Sequence, residues 1–201
     1  MVKMFGWKTY LSIEEQFLKA NYYVAFDVEN AHSNFLSQSV ILLGAEIEHA
    51  FKVLCELIDV NAPRGDIGKY KEVILKNMPA IGKLKSALRE NEEVQFFPFE
   101  NWHNGKLTWW NIYTKMKHST DDEKATMKVA LTMLSAYQLL LILIEAYTPG
   151  GEERSAYTQL DVPRLLVPDV NLEIGQENNL DGVFCWIFSP SELKGKVSVL
   201  P

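Results

Sequence analysis

The chain has 201 residues, 47% hydrophobic and 23% charged, the proportions of one ordinary globular domain with room for a small appendage. Its 20 lysines and arginines against 26 aspartates and glutamates give a formal charge of −6, which excludes binding of polyanions through bulk charge. Any nucleic-acid contact needs a local basic patch, and two widely separated cysteines, Cys55 and Cys185, exclude a disulfide framework and fit a reduced, cytoplasmic setting.

The N-terminus lacks the apolar core of a signal peptide. Ser12 with Glu15 resembles a capping box and predicts a helix over residues 12–29. After "AHSN", Ser33 or Asn34 opens a second helix over residues 33–60. In it Leu36, Val40, Leu43, Ile47, Ala50, Leu54 and Leu57 form an apolar stripe at steps of four and three. Glu48, Lys52 and Glu56 line its opposite side at i,i+4 spacing. Two shorter helices are predicted over 66–76 and 78–90, followed by an irregular connector with Phe96, Phe97, Phe99 and Trp102. "STDD" is the expected cap of a last long helix over 121–147. Its apolar run 129–144 is 16 residues, short of the roughly 20 that span a bilayer, so it reads as a buried core helix and no membrane is expected. Beyond Thr148, "PGGEERS" is a break, "DVPRLLVPDV" is too rich in proline for a helix, and "GVFCWIF" reads as a strand or an extended segment packed on the bundle. The expectation is an all-α helical bundle, residues 1–148, with a short extended or β C-terminal tail, residues 149–201, packed on it.

The segment "LTWWNIYTKMKHSTDD", residues 107–122, is the densest in chemistry. On a helical wheel Asn111, Thr114, Lys115 and His118 share one face, Trp109, Ile112 and Met116 lie opposite, and Trp110 and Tyr113 flank them. The aromatic side anchors the segment to a core. The outer side offers an amide, a hydroxyl, a lysine and a histidine, groups that bind a phosphate and move a proton. The plainer explanation is an amphipathic helix with a solvated basic face, its tryptophans packing rather than stacking bases.

The run "WWNIYTKMKHS", preceded by "FFPFENW" and followed by a long Ala/Leu-rich helix, resembles uncharacterised bacterial proteins with a tryptophan–tyrosine–lysine–histidine signature. The helix order and the late histidine also resemble the HEPN superfamily of all-α domains (higher eukaryotes and prokaryotes nucleotide-binding). The resemblance covers roughly residues 10–147. It implies a homodimer and a metal-independent RNase, a toxin–antitoxin or defence module with RNA or a cognate protein as partner, or a catalytically inactive relative; it implies no cofactor. His118 takes the place of that family's catalytic histidine. The positions where its arginine belongs hold Asn111, Ile112 and Tyr113. Asn111 is the best-spaced polar substitute but carries no charge, while Lys115 and Lys117 supply charge without the guanidinium fork. In this reading His118 and Asn111 are the catalytic candidates. Lys115, Lys117 and Thr114 bind phosphate, and Glu46, Tyr113, Trp109 and Trp110 support them.

Three of the four histidines follow a glutamate at i+3, the spacing of carboxylate-bridged metal bundles. Only Glu46 and His49 lie mid-helix, which makes them the alternative metal ligands. Glu46 sits at the flank of the apolar arc, where a carboxylate needs a partner; pairing with His118 or Lys117 across a cleft is the functional version. Cys55 reads as core filler. Nucleophilic triads, phosphate loops and dinucleotide glycine patterns are not found.

Overall fold

A computed structural model of the chain describes residues 5–20, 31–63, 65–118, 125–149, 158–170, 172–176 and 184–198. Its described part is mostly helical, with two small antiparallel sheets.

Helix α1 runs from Trp7 to Ala20. It starts ahead of the expected cap at Ser12 because Trp7 and Tyr10 are buried and extend its apolar face backwards. Gly6, at φ +64, turns the chain into the helix and accepts the first bond, from Tyr10 N–H at 3.0 Å. A Cβ there would stand 2.8 Å from Leu141 and from the Tyr137 hydroxyl. The remainder of the predicted helix, residues 21–29, lies outside the described residues.

Helix α2, Asn34–Ile58, follows the predicted stripe: Leu36, Val40, Leu43, Ile47, Ala50 and Leu54 are buried, and Leu57 is partly so. Ser33 is the cap, its hydroxyl accepting from Leu36 N–H at 3.1 Å. Helix α3, Ile67–Asn77, begins as expected behind Asp66, whose carboxylate accepts from Gly68 and Lys69.

The predicted helix over 78–90 is replaced. Pro79 follows the end of α3, a 3-10 turn spans Ile81–Lys83, and strand β1, Ser86–Leu88, forms a hairpin with β2, Asn91–Phe96. Ser86 and Leu88 alternate inward, and Asn91, Glu92 and Glu93 face outward. Period-two burial beats the helical propensity of this stretch because the third strand, β4 at Leu166–Pro168, is supplied from far along the chain to pair with β1.

Helix α4 is Thr108–His118 and helix α5 is Met127–Tyr147. The expected "STDD" cap is corrected: Thr126 caps α5 by accepting from Val129 N–H, and Ser119–Asp122 lie outside the described residues. Helix α5 is apolar and buried nearly all round, and its longest packing interface is with α2. By length and composition α5 could cross a membrane, but 89% of its most apolar window is buried inside this fold, as befits a core helix.

After α5 the chain returns to the bundle. Strands β3 (Thr158–Asp161), β5 (Leu172–Gln176) and β6 (Phe184–Phe188) form a sheet in the order β3-β6-β5, with β6 at the predicted "GVFCWIF". A last helix that sequence patterning missed, α6 at Pro190–Ser198, buries Leu193 and Val197 and packs on α5.

A buried polar network fastens β4. Glu14, 2% exposed, accepts from the Tyr10 hydroxyl (2.9 Å) and from the backbone N–H groups of Arg164 (2.8 Å), Leu165 (2.9 Å) and Leu166 (3.3 Å). Gln138 on α5 donates to the Tyr10 oxygen (2.8 Å) and to Leu166 O (3.0 Å), and its own oxygen accepts from Ser86 (2.8 Å). Burial, then the negative charge of Glu14, pushes the Tyr10 hydroxyl pKa well up, so it remains a donor.

Candidate functional site

Helix α4 forms because its inner side has a place to go. Trp109 and Tyr113 are buried, and Trp110 is partly buried and packed on the core. Trp110 meets Tyr113 edge-on at 5.3 Å and Phe51 of α2 at 6.1 Å, and Phe51 also contacts Trp102 at 5.4 Å. Trp109 Nε1–H donates to Pro98 O at 2.7 Å, tying the connector to the helix. Fully burying such a ring contributes about 1.5–3 kcal/mol relative to exposure, and edge-on pairs add ~0.5–1.5 kcal/mol. Trp102, Trp109 and Tyr113 are thus committed to packing, and their faces are not presented to an outside base.

The wheel placed Ile112 at the centre of the buried face and Tyr113 at its flank; the structure exchanges them. Tyr113 is 3% exposed and Ile112 only partly buried. The reason lies on α2. A Cβ on Gly44 would stand 2.2 Å from the Tyr113 ring, so the missing side chain is what admits that ring against the α2 backbone.

Above this contact lies a polar cluster. The Tyr113 hydroxyl donates to Glu48 Oε2 (3.3 Å), Lys117 Nζ donates to the same oxygen (3.2 Å), and the ammonium lies 5.5 Å from the Tyr113 ring centroid. Burial raises the Tyr113 pKa, against the lowering effect of Lys117. Bonding to Tyr113 and Glu48 holds the Lys117 pKa up, so the ammonium stays charged. The partner of Lys117 is therefore Glu48, not Glu46. Glu46 instead accepts from the Tyr137 hydroxyl at 3.0 Å, one helix over. The pairing of Glu46 with His118 or Lys117 is corrected, and the physical cause is phase. Glu48 lies one turn beyond Gly44, on the side of α2 that meets α4, whereas Glu46 is turned toward α5.

The outer side of α4 carries Asn111, Lys115 and His118, all exposed, within one arc of the helix. Thr114 is half-buried, and its hydroxyl donates back to Trp110 O at 2.8 Å, leaving its oxygen as an acceptor. Of the predicted phosphate-binding set, Lys115 and Thr114 stay beside Asn111 and His118, and Lys117 is turned toward α2.

The alternative metal pair does not converge. His49 is exposed with its ring 5.2 Å from that of Phe5, while Glu46 is held by Tyr137. Among the described residues no three histidine, cysteine or acidic side chains are grouped to hold a metal. Cys55 is a free, buried thiol, as core filler should be.

Sequence reasoning missed Glu48 as the α2–α4 link and Glu14 as the anchor of β4. A glycine inside an otherwise apolar helix was the available signal for the first. Comparison with protein-family models, curated proteins and solved structures finds no match.

Proposed function

We propose that the chain is a HEPN-like helical module that engages RNA along the outer side of α4. The observation that carries this reading is the division of labour on α4: its large aromatics are spent on the core, while Asn111, Lys115 and His118 face solvent on one arc. An amide and an ammonium hold a phosphate oxygen there, and the imidazole is placed to move a proton at the neighbouring ribose hydroxyl. In a metal-independent cleavage His118 is the general acid/base, and Asn111 with Lys115 holds the scissile phosphate. A homodimer that sets two such faces together completes the reading.

The second reading, an inactive interaction module of the same fold, is favoured by one observation. Asn111 stands where the family places an arginine, and an amide leaves the developing phosphorane charge uncompensated.

Both readings are tested with a mixed single-stranded RNA pool in the presence of EDTA. The catalytic reading expects cleavage by the wild type and at least a 100-fold loss on His118→Ala, with an unchanged circular dichroism spectrum. Absence of cleavage, with binding retained, selects the interaction module. In either case Lys115→Glu should weaken RNA binding and lower the slope of log K against log salt by about one or more phosphate contacts. RNA binding that ignores this charge reversal would remove α4 from the interface.

A further inference from the structure

A second feature adjoins α4 that no motif announced. Between the connector after β2 and the first turns of α4 and α5 lies a cleft of about 410 Å³, within the range of small-molecule sites. Its chemistry is mixed in a specific way. Phe97, 39% exposed, is the one large aromatic side chain among the exposed apolar residues described, and it lines this cleft with Pro98. Lys106 from the connector and Lys128 from α5 bring positive charge from two different elements, against one lining carboxylate, Glu100. Outside the lining, the Lys85 ammonium lies 5.6 Å from the centroid of the Phe97 ring and donates to Gln95 Oε1 at 3.2 Å.

The walls are preformed. Trp109 Nε1–H holds Pro98 O, Lys71 Nζ donates to the carbonyls of His103 (3.2 Å) and Gly105 (3.0 Å), and His103 Nε2 lies 2.6 Å from Pro79 O. Asn101, a lining residue, occupies the left-handed region at φ 58, which asparagine tolerates better than most residues and which closes the turn after Phe99. A cleft fixed from so many sides loses little ordering entropy when it is filled.

We infer that this cleft binds one nucleotide unit, the base against Phe97 and Pro98 and the phosphate between Lys106 and Lys128. An exposed aromatic ring in a cleft also lined by lysines from two elements is the combination that single-stranded nucleic acids use, since every base stacks and every phosphate is anionic. Thr108 lines the cleft and Lys115 follows two turns later on the same side of α4, roughly 10 Å along the helix axis. A strand whose base enters the cleft can therefore continue along the outer side of α4. The inference rests on the RNA reading for that continuation, but the cleft itself is testable alone.

The test is titration of the full chain with the four ribonucleoside monophosphates, the corresponding nucleosides and inorganic phosphate, followed by isothermal calorimetry and by the indole N–H resonances. The cleft predicts saturable nucleotide binding that shifts the Trp109 signal. It also predicts weaker binding of nucleosides and phosphate than of nucleotides. Phe97→Ala should weaken nucleotides roughly 10-fold or more, and the double variant Lys106→Glu/Lys128→Glu should abolish binding. All three side chains are exposed, so the variants should fold. No nucleotide binding by the wild type overturns the inference. Phosphate binding as tight as nucleotide binding, with Phe97→Ala silent, overturns it too. RNA binding that is lost on Lys115→Glu but indifferent to Phe97→Ala removes the cleft and spares the α4 interface. Mononucleotide binding without RNA binding supports the cleft and counts against that interface.

Discussion

At 2% exposure the carboxylate of Glu14 relies on protein donors, and four of them converge on it: one hydroxyl and three consecutive backbone N–H groups. Removing one partner from such a set leaves buried polar atoms unsatisfied, which costs more than the bond was worth. Glu14→Gln keeps the shape but brings an amide –NH2 among backbone N–H groups that cannot accept from it. The expected outcome is a loss of about 2–4 kcal/mol in urea unfolding, read as a lower midpoint at unchanged slope. An unchanged midpoint would show that β4 is held by its pairing with β1 alone. None of this was legible beforehand. A glutamate one residue before Glu15 in a polar-looking helix start carries no sign that a strand some 150 positions on will need an acceptor there.

Between elements, the α2–α4 contact is decided by Gly44 and Tyr113. Alanine at an ordinary helix interior position gains about 1 kcal/mol over glycine. Here the added carbon would sit 2.2 Å from ring atoms, and overpacking of that kind costs ~1–3 kcal/mol or more. The clash should win: Gly44→Ala is expected to destabilise by about 2 kcal/mol. The double variant with Tyr113→Ala should lose that penalty, so a thermodynamic cycle should show a coupling of at least ~1 kcal/mol. Additive effects would mean the ring and the glycine are not in contact. The neighbouring Glu48–Lys117 pair is about 40% exposed on both sides, so its contribution is small, ~0–1 kcal/mol; it fixes orientation more than stability. The amphipathic character of α4 was readable from 107–118. The position of Tyr113 was not, because helical phase gives only a face, whereas a gap on a partner helix selects which residue of that face goes deepest.

For the molecule as a whole, the buried thiol and phenols act in one direction. Burial, helped by the negative charge of Glu56, pushes the Cys55 thiol from 9.0 up to about 12. Burial is also the main cause of the raised pKa values of Tyr10, Tyr113 and Tyr137. Each group holds its proton more tightly folded than unfolded, so each contribution is fully present below the unfolded value. It is lost as pH rises through the folded one. For Cys55 that window runs from about 9 to about 12. Stability in urea should therefore fall steadily above pH 9, and native Cys55 should resist iodoacetamide at pH 8 until denaturant is added. Rapid native alkylation of Cys55, resolved from Cys185 by peptide mapping, would contradict its burial.

The sequence by itself determined the elements whose partners are periodic and close: the stripe of α2, its start at Ser33 or Asn34, the short helix after Asp66, the buried character of α5, the helix at α4 and the strand at "GVFCWIF". Each follows from local rules, apolar spacing and capping chemistry, which act within a few residues. Only the tertiary structure decided what depends on distant partners. The stretch 78–90 became a 3-10 turn and the first strand of a hairpin because β4 arrives to pair with that strand. Glu48 rather than Glu46 meets α4 because Gly44 lets the helices approach there. The cleft beside α4 exists because the connector is pinned by Lys71, His103 and Trp109. Loop closure brings these groups together at an entropic cost that no local pattern encodes, and the contacts that offset it lie on elements far apart in the chain.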